Sequence, residues 1–215
     1  MKQEVIRAIE EHKVIAIVRG VAEDKLIPLA QALYDGGIRL IELTFSTDGS
    51  ISDEQTAEWI GALVKQFAGK LLVGAGTVLT EKQVSLVSGA GGLFAISPNT
   101  DEDVIRACNT YDLVSIPGAL TPTEIAAAHK AGTDFVKLFP VSDLGPKYVK
   151  AVRAPLSHIR LLAVGGIDET NIADYLQAGA CGVGVGGNLV NHKWVEAGEF
   201  EKITQVASQL VAAVK

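Results

Sequence analysis

The lysine inside FVKLFP, residues 135–140, is the side chain of this 215-residue chain whose setting most strongly implies chemistry. Phe135, Val136, Leu138 and Phe139 would otherwise form an uninterrupted buried strand. Burial disfavours the ammonium form of Lys137 and lowers its pKa, which yields an amine able to attack a carbonyl and form a Schiff base. The alternative is a structural lysine paired with a buried carboxylate. Glu42, in LIELTF at 40–45, is the only acid inside any of the apolar runs and serves either reading. It is the partner that makes Lys137 tolerable, or a carboxylate that moves protons as a carbinolamine forms and collapses. Arg19 directly follows IAIV, and its planar fork suits a carboxylate. Taken alone, such an arginine is often only solvated.

Two glycine pairs form a second group of candidates. Gly165-Gly166 and Gly186-Gly187 end apolar runs, at places where backbone N–H groups can approach a phosphate closely. Asn188 follows as a possible side-chain donor. Tight turns without a ligand also demand glycine. GAGTVL at 74–79 lacks the G-x-G-x-x-G spacing of a dinucleotide loop, so no nicotinamide site is read there. No cofactor or metal is expected, since His12, His129, His158 and His192 fall in helical or outer-loop segments away from clustered carboxylates.

These residues need a scaffold that brings distant segments together. Eight short runs rich in Val, Ile and Leu recur at 14–18, 40–44, 71–75, 93–97, 113–117, 135–139, 161–165 and 182–186. They lack polar alternation, as strands covered on both faces do. Helix-periodic segments separate them, among them DKLIPLAQALYDGG and ETNIADYLQAGA, several stopping at glycine. The strict βα alternation predicts an α/β fold, a single-domain (β/α)8 TIM barrel over 1–215, in preference to an open doubly wound sheet. An extra helix at 2–12 is expected to cap the barrel bottom, and a last one at 199–214 to pack outside. In such a barrel function gathers at the C-terminal strand ends. Those ends carry Arg19, Glu42, Thr44, Thr77, Ser97, Pro98, Pro117, Gly118, Lys137 and the glycine pairs.

Composition limits the partners. The net charge is -6 and no dense Lys/Arg run occurs, so nucleic acid is not expected. No secretory signal or apolar span long enough for a bilayer is apparent, so no membrane association is expected. Cys108 and Cys181 are too few for a disulfide framework, and a cytoplasmic protein with reduced thiols is expected.

With these residues in view, the chain resembles the 2-keto-3-deoxy-6-phosphogluconate (KDPG) and 4-hydroxy-2-oxoglutarate (KHG) aldolases. The resemblance runs in order through IAIVRG, GGIRLIELTF, GAGTVL, SPN, PGALTPTE, FVKLFP, GPKYVKA, AVGGI and GVGVGGNLV. It implies a homotrimer that cleaves a phosphorylated 2-keto-3-deoxy sugar acid to pyruvate and glyceraldehyde 3-phosphate. It further implies Lys137 as Schiff-base lysine, Glu42 as general acid and base, Arg19 and Thr77 as ligands of the pyruvyl carboxylate, and Pro98 and Phe139 as pocket walls.

Two departures concern the distal end of the substrate. Some members carry an arginine where this chain has Ser46, and a serine where it has Asn188. A serine cannot replace an always-charged bidentate phosphate partner. The galactonate epimer and unphosphorylated 4-hydroxy-2-oxoglutarate therefore stand as alternative substrates. Two further alternatives are a phosphosugar isomerase or epimerase working by proton transfer alone, and a barrel that binds phosphorylated keto acids as a sensor without turnover.

Overall fold

Residues that branch at Cβ and repeat without polar relief favour strands buried on both faces, and they build the frame here. The computed structural model describes residues 1–214. Its strands are β1 (Val14–Val18), β2 (Leu40–Thr44), β3 (Leu72–Gly76), β4 (Phe94–Ile96), β5 (Val114–Ile116), β6 (Gly118–Ala119), β7 (Val136–Leu138), β8 (Leu161–Val164) and β9 (Gly182–Val185). All ladders are parallel, in the order β5-β4-β3-β2-β1-β9-β8-β7-β6.

Only Pro117 separates β5 from β6, so the two are halves of one stave. β5 pairs with β4 and β6 pairs with β7, which closes the ring into a (β/α)8 barrel. The run expected as one strand over 113–117 is thus split. Proline has no N–H to give a ladder, yet its carbonyl still accepts from Lys137 N at 2.8 Å. The third strand lies one residue later than expected, at 72–76 instead of 71–75.

The pleat sorts side chains to two sides. Val14, Ala16, Ile41, Leu43, Val73 and Ala75 join the layer beneath the helices. Ile15, Leu40, Phe94, Val114, Phe135 and Leu162 form a separate apolar plug inside the barrel. Val5, Ile6 and Ile9 of α1 (Lys2–His12) belong to that plug, so the first helix seals the bottom. An ion pair of Lys2 with Asp134 at 2.9 Å fixes it there, with both side chains largely buried.

The outer helices are α2 (Glu23–Asp35), α3 (Asp53–Gln66), α4 (Glu81–Gly89), α5 (Glu102–Thr110), α6 (Pro122–Lys130), α7 (Gly145–Arg153), α8 (Ile172–Gln177), α9 (His192–Ala197) and α10 (Phe200–Ala213). Ser52, Thr80, Asp101 and Thr121 each cap a helix start by accepting from backbone N–H groups, which fixes where each βα loop ends. α10 packs outside the barrel against α2, where Gly36 lets the backbone of Thr204 and the methyl of Ala207 approach. No helix among the described residues is long and apolar enough to cross a membrane.

Candidate active site

The inward positions of the staves decide where polar groups meet. In β2 the inward residues are Leu40, which joins the plug, and Glu42 above it; Phe135 and Lys137 repeat this arrangement on the β7 stave. One pleat repeat above the plug, the apolar interior therefore gives way to a carboxyl and an amine. Both line a cavity of about 500 Å3 at the C-terminal mouth of the barrel.

The amine stands on an apolar seat. Ile96, Ile116, Leu162 and Val164 line a small apolar pocket together with Lys137, and its Nζ lies 4.5 Å from the centre of the Phe139 ring. Burial pushes the lysine pKa down, Glu42 pulls it back up, and Arg19 lowers it. For Glu42 burial dominates too, raising its carboxyl from 4.5 to about 7 against the opposing pull of Lys137 and Arg19. The Oε2 atom of Glu42 is buried and accepts no hydrogen bond among the described residues.

Arg19 and Thr77 meet at the rim, where Arg19 Nη2 donates to Thr77 Oγ1 at 3.0 Å. Thr77 has φ 57. A β-branched residue in the left-handed region is strained by about 1–3 kcal/mol, so the turn after β3 holds this hydroxyl in place at a conformational cost. Pro98 and Phe139 line the same cavity.

Gly165, Gly166, Gly186, Gly187 and Asn188 line its opposite side. The two pairs differ. Gly165 and Gly166 have φ 116 and 69, which suffices to explain glycine there. Gly187 has no left-handed φ and open space where a side chain would stand, and Gly186 meets only Ile17 at 3.9 Å. Neither backbone conformation nor packing among the described residues demands glycine at 186–187. Asn188 donates its amide to Ile167 O at 2.9 Å and so braces the last two loops against each other.

Ser46 stands apart. It lies in an adjoining recess that shares Arg19 with the main cavity. There its hydroxyl hydrogen-bonds to Asp48, which also accepts from Ser50 N at 2.9 Å. These bonds hold the exposed Asp48 carboxyl well below the usual carboxylate range. Ile17, Val164, Ile167 and Gly184 also line the main cavity and were not singled out from sequence. Strand alternation was the available signal, since Ile17 and Val164 each lie two residues above a plug residue.

A profile of the KDPG and KHG aldolase family matches residues 5–206. The chain belongs to that family. It is 35% identical over 202 residues to the 2-dehydro-3-deoxy-6-phosphogalactonate aldolase of Escherichia coli strain K12, covering 94% of this chain and 92% of that one. It is 34% identical to the 2-dehydro-3-deoxy-phosphogluconate aldolase of Treponema pallidum, covering 98% and 97%. A crystal structure of KDPG aldolase from Legionella pneumophila, with pyruvate captured as a covalent carbinolamine, superposes with a TM-score of 0.85 at 27% identity and 98% coverage of both chains.

Set against this family, the cavity has what imine chemistry requires: a desolvated amine, a carboxyl that ionises near neutrality, and a fixed cation at the rim. Cys108 and Cys181 lie outside it. Burial pushes both thiols up to about 12, so neither is a nucleophile at neutral pH.

Proposed function

We propose that this chain is a class I aldolase, one catalytic domain over residues 1–215, that cleaves 2-keto-3-deoxy-6-phosphogluconate to pyruvate and glyceraldehyde 3-phosphate. The observation that carries the proposal is the apolar seat of Lys137 at the cavity floor, one pleat repeat above the plug and near Glu42. Neutral Lys137 attacks the C2 ketone, and the carbinolamine loses water to give an iminium. Glu42 then takes the proton of the C4 hydroxyl, and the C3–C4 bond breaks with its electron pair moving into the iminium. The aldehyde leaves, and the remaining enamine is protonated at C3. Water adds at C2 to release pyruvate and free Lys137. A carboxyl titrating at about 7 is populated in both forms near neutral pH, as a group that both gives and takes protons needs.

Arg19 and Thr77 hold the carboxylate of the keto acid, and Pro98 and Phe139 flank its carbon chain. The phosphate takes the side lined by Gly165, Gly166, Gly186, Gly187 and Asn188. Ser46, bonded to an ionised Asp48, offers no cation to a phosphate, so its contribution is confined to the rim. The orphaned Glu42 Oε2 argues against a purely structural ion pair with Lys137, because a buried unsatisfied acceptor costs about 1–3 kcal/mol.

A second reading has the same chemistry on the galactonate epimer, as acted on by the 35% identical Escherichia coli relative. Family membership also supports a homotrimer, which light scattering of the purified protein tests. A multiply charged substrate that cannot cross a membrane unaided is consistent with action in the cytoplasm.

The deciding experiment is mass spectrometry after incubation with pyruvate and borohydride. A reduced pyruvyl adduct on Lys137, absent from Lys137→Ala, is expected. A folded wild-type protein with no adduct would move the isomerase and sensor readings ahead. Release of pyruvate from the two epimers then separates the substrates.

A further inference from the structure

β3 presents three inward positions, Leu72, Gly74 and Gly76, and the two glycines make room for different things. A methyl group at Gly74 would stand 2.6 Å from Cγ of Phe94, a ring fully buried in the plug. A methyl group at Gly76 would meet the carboxyl of Glu42, 2.6 Å from Cδ and 2.9 Å from Oε2, with Oε1 nearer still. Gly76 is buried and its φ is not left-handed, so its backbone suits alanine as well. The conflict is with the far end of a flexible side chain, which can swing away, and not with a ring that cannot.

We infer that Gly76 is a positioning residue: the missing side chain forms the slot that holds the Glu42 carboxyl in place over the cavity floor. The backbone on both sides of the slot is pinned in the sheet. Glu42 is flanked in register by Ile17 of β1 and Gly74 of β3, and Gly76 O accepts from Phe45 N at 2.9 Å. Among the described residues Glu42 makes no hydrogen bond through Oε2 that could fix it otherwise. The space beside Gly76 therefore does here what a hydrogen bond from a neighbouring side chain does elsewhere in orienting a catalytic group. This inference rests on the proton-transfer role proposed for Glu42.

The test uses exchange of the pyruvate methyl protons into deuterium oxide, read by NMR, which requires only the enamine half of the reaction. Gly76→Ala is expected to keep the wild-type circular dichroism and melting temperature while slowing exchange about 100-fold or more, the range general acid–base catalysis supplies. Its pH–rate profile loses the limb set by Glu42. Glu42→Gln slows exchange similarly, and the double variant is no slower than Glu42→Gln alone, since residues acting through one group are not additive. Gly74→Ala, clashing with Phe94, lowers the melting temperature and leaves the pH profile in place.

The failures are distinguishable. Unimpaired exchange in Glu42→Gln overturns the role of Glu42 and the slot with it. A slow Glu42→Gln beside a fast Gly76→Ala overturns the slot alone, as do effects that multiply in the double variant. Should Gly76→Ala fail to fold, Glu42→Ala/Gly76→Ala removes the conflicting carboxyl and folds; a double variant that stays unfolded also overturns the inference.

Discussion

Replacing Glu42 by glutamine should make the protein less sensitive to rising pH. Burial raises the folded-state carboxyl from 4.5 to about 7, so the folded chain binds this proton more tightly than the unfolded chain. Stability from this group is therefore greatest below about 4.5 and falls as pH rises towards 7, the reverse of a salt-bridged acid. Integrating the two titrations between pH 5 and 8 gives a loss on the order of 2–3 kcal/mol in the wild type. Glutamine cannot ionise, and its own packing and hydrogen bonds do not vary over that range. The difference in unfolding free energy between Glu42→Gln and wild type should accordingly grow by roughly 2–3 kcal/mol from pH 5 to pH 8. Urea denaturation of both proteins at the two pH values measures it. Parallel stability curves would refute the burial argument. A wild type that gains on the variant as pH rises would mean that Glu42 is held in an ion pair strong enough to overcome its desolvation.

Other consequences concern the rim, the glycine pairs and the thiols. Thr77→Val removes the hydroxyl that accepts from Arg19 while keeping the branched side chain, and should raise KM for the keto acid roughly tenfold with kcat little changed, as loss of one charge-assisted hydrogen bond implies. An unchanged KM would separate Thr77 from carboxylate binding. Gly166→Ala, at φ 69 and with Ser142 Cβ 3.0 Å away, should cost about 1–2 kcal/mol in denaturant unfolding. Gly187→Ala should leave stability unchanged and raise KM for a phosphorylated substrate more than for an unphosphorylated one; equal effects on both would remove the phosphate from that wall. Cys108, buried and with its thiol pushed up to about 12, should resist a disulfide reagent at pH 8 until the protein unfolds and react more slowly than the half-buried Cys181; rapid labelling of Cys108 in the native protein would contradict its burial.

What could be read from the sequence, and what could not, follows one physical division. A charged group inside an apolar strand is costly wherever it sits, so Lys137 and Glu42 announced themselves in a single chain without knowledge of their neighbours. Arg19, Thr77 and Pro98 were legible by position, because a barrel gathers strand ends at one mouth. The features that stayed hidden depend on which neighbour a residue meets. Ile17 and Val164 look like any core residue until the register of β1 and β8 places them one pleat above the plug. Ser46 was read at the substrate's distal end because some members of the resembled family carry an arginine there, yet short-range bonds to Asp48 and Ser50 turn it into its own loop, a preference that serines and aspartates satisfy locally before any ligand arrives. Glycine is the sharpest case, since the same letter marks four situations: a left-handed turn at Gly166, a ring's berth at Gly74, a carboxyl's slot at Gly76 and open wall at Gly187. Sequence shows that the side chain is missing, and only the packed structure shows what its absence admits. In this barrel polar side chains mark the chemistry, while the glycines of β3 and of the last loops mark where that chemistry has room to act.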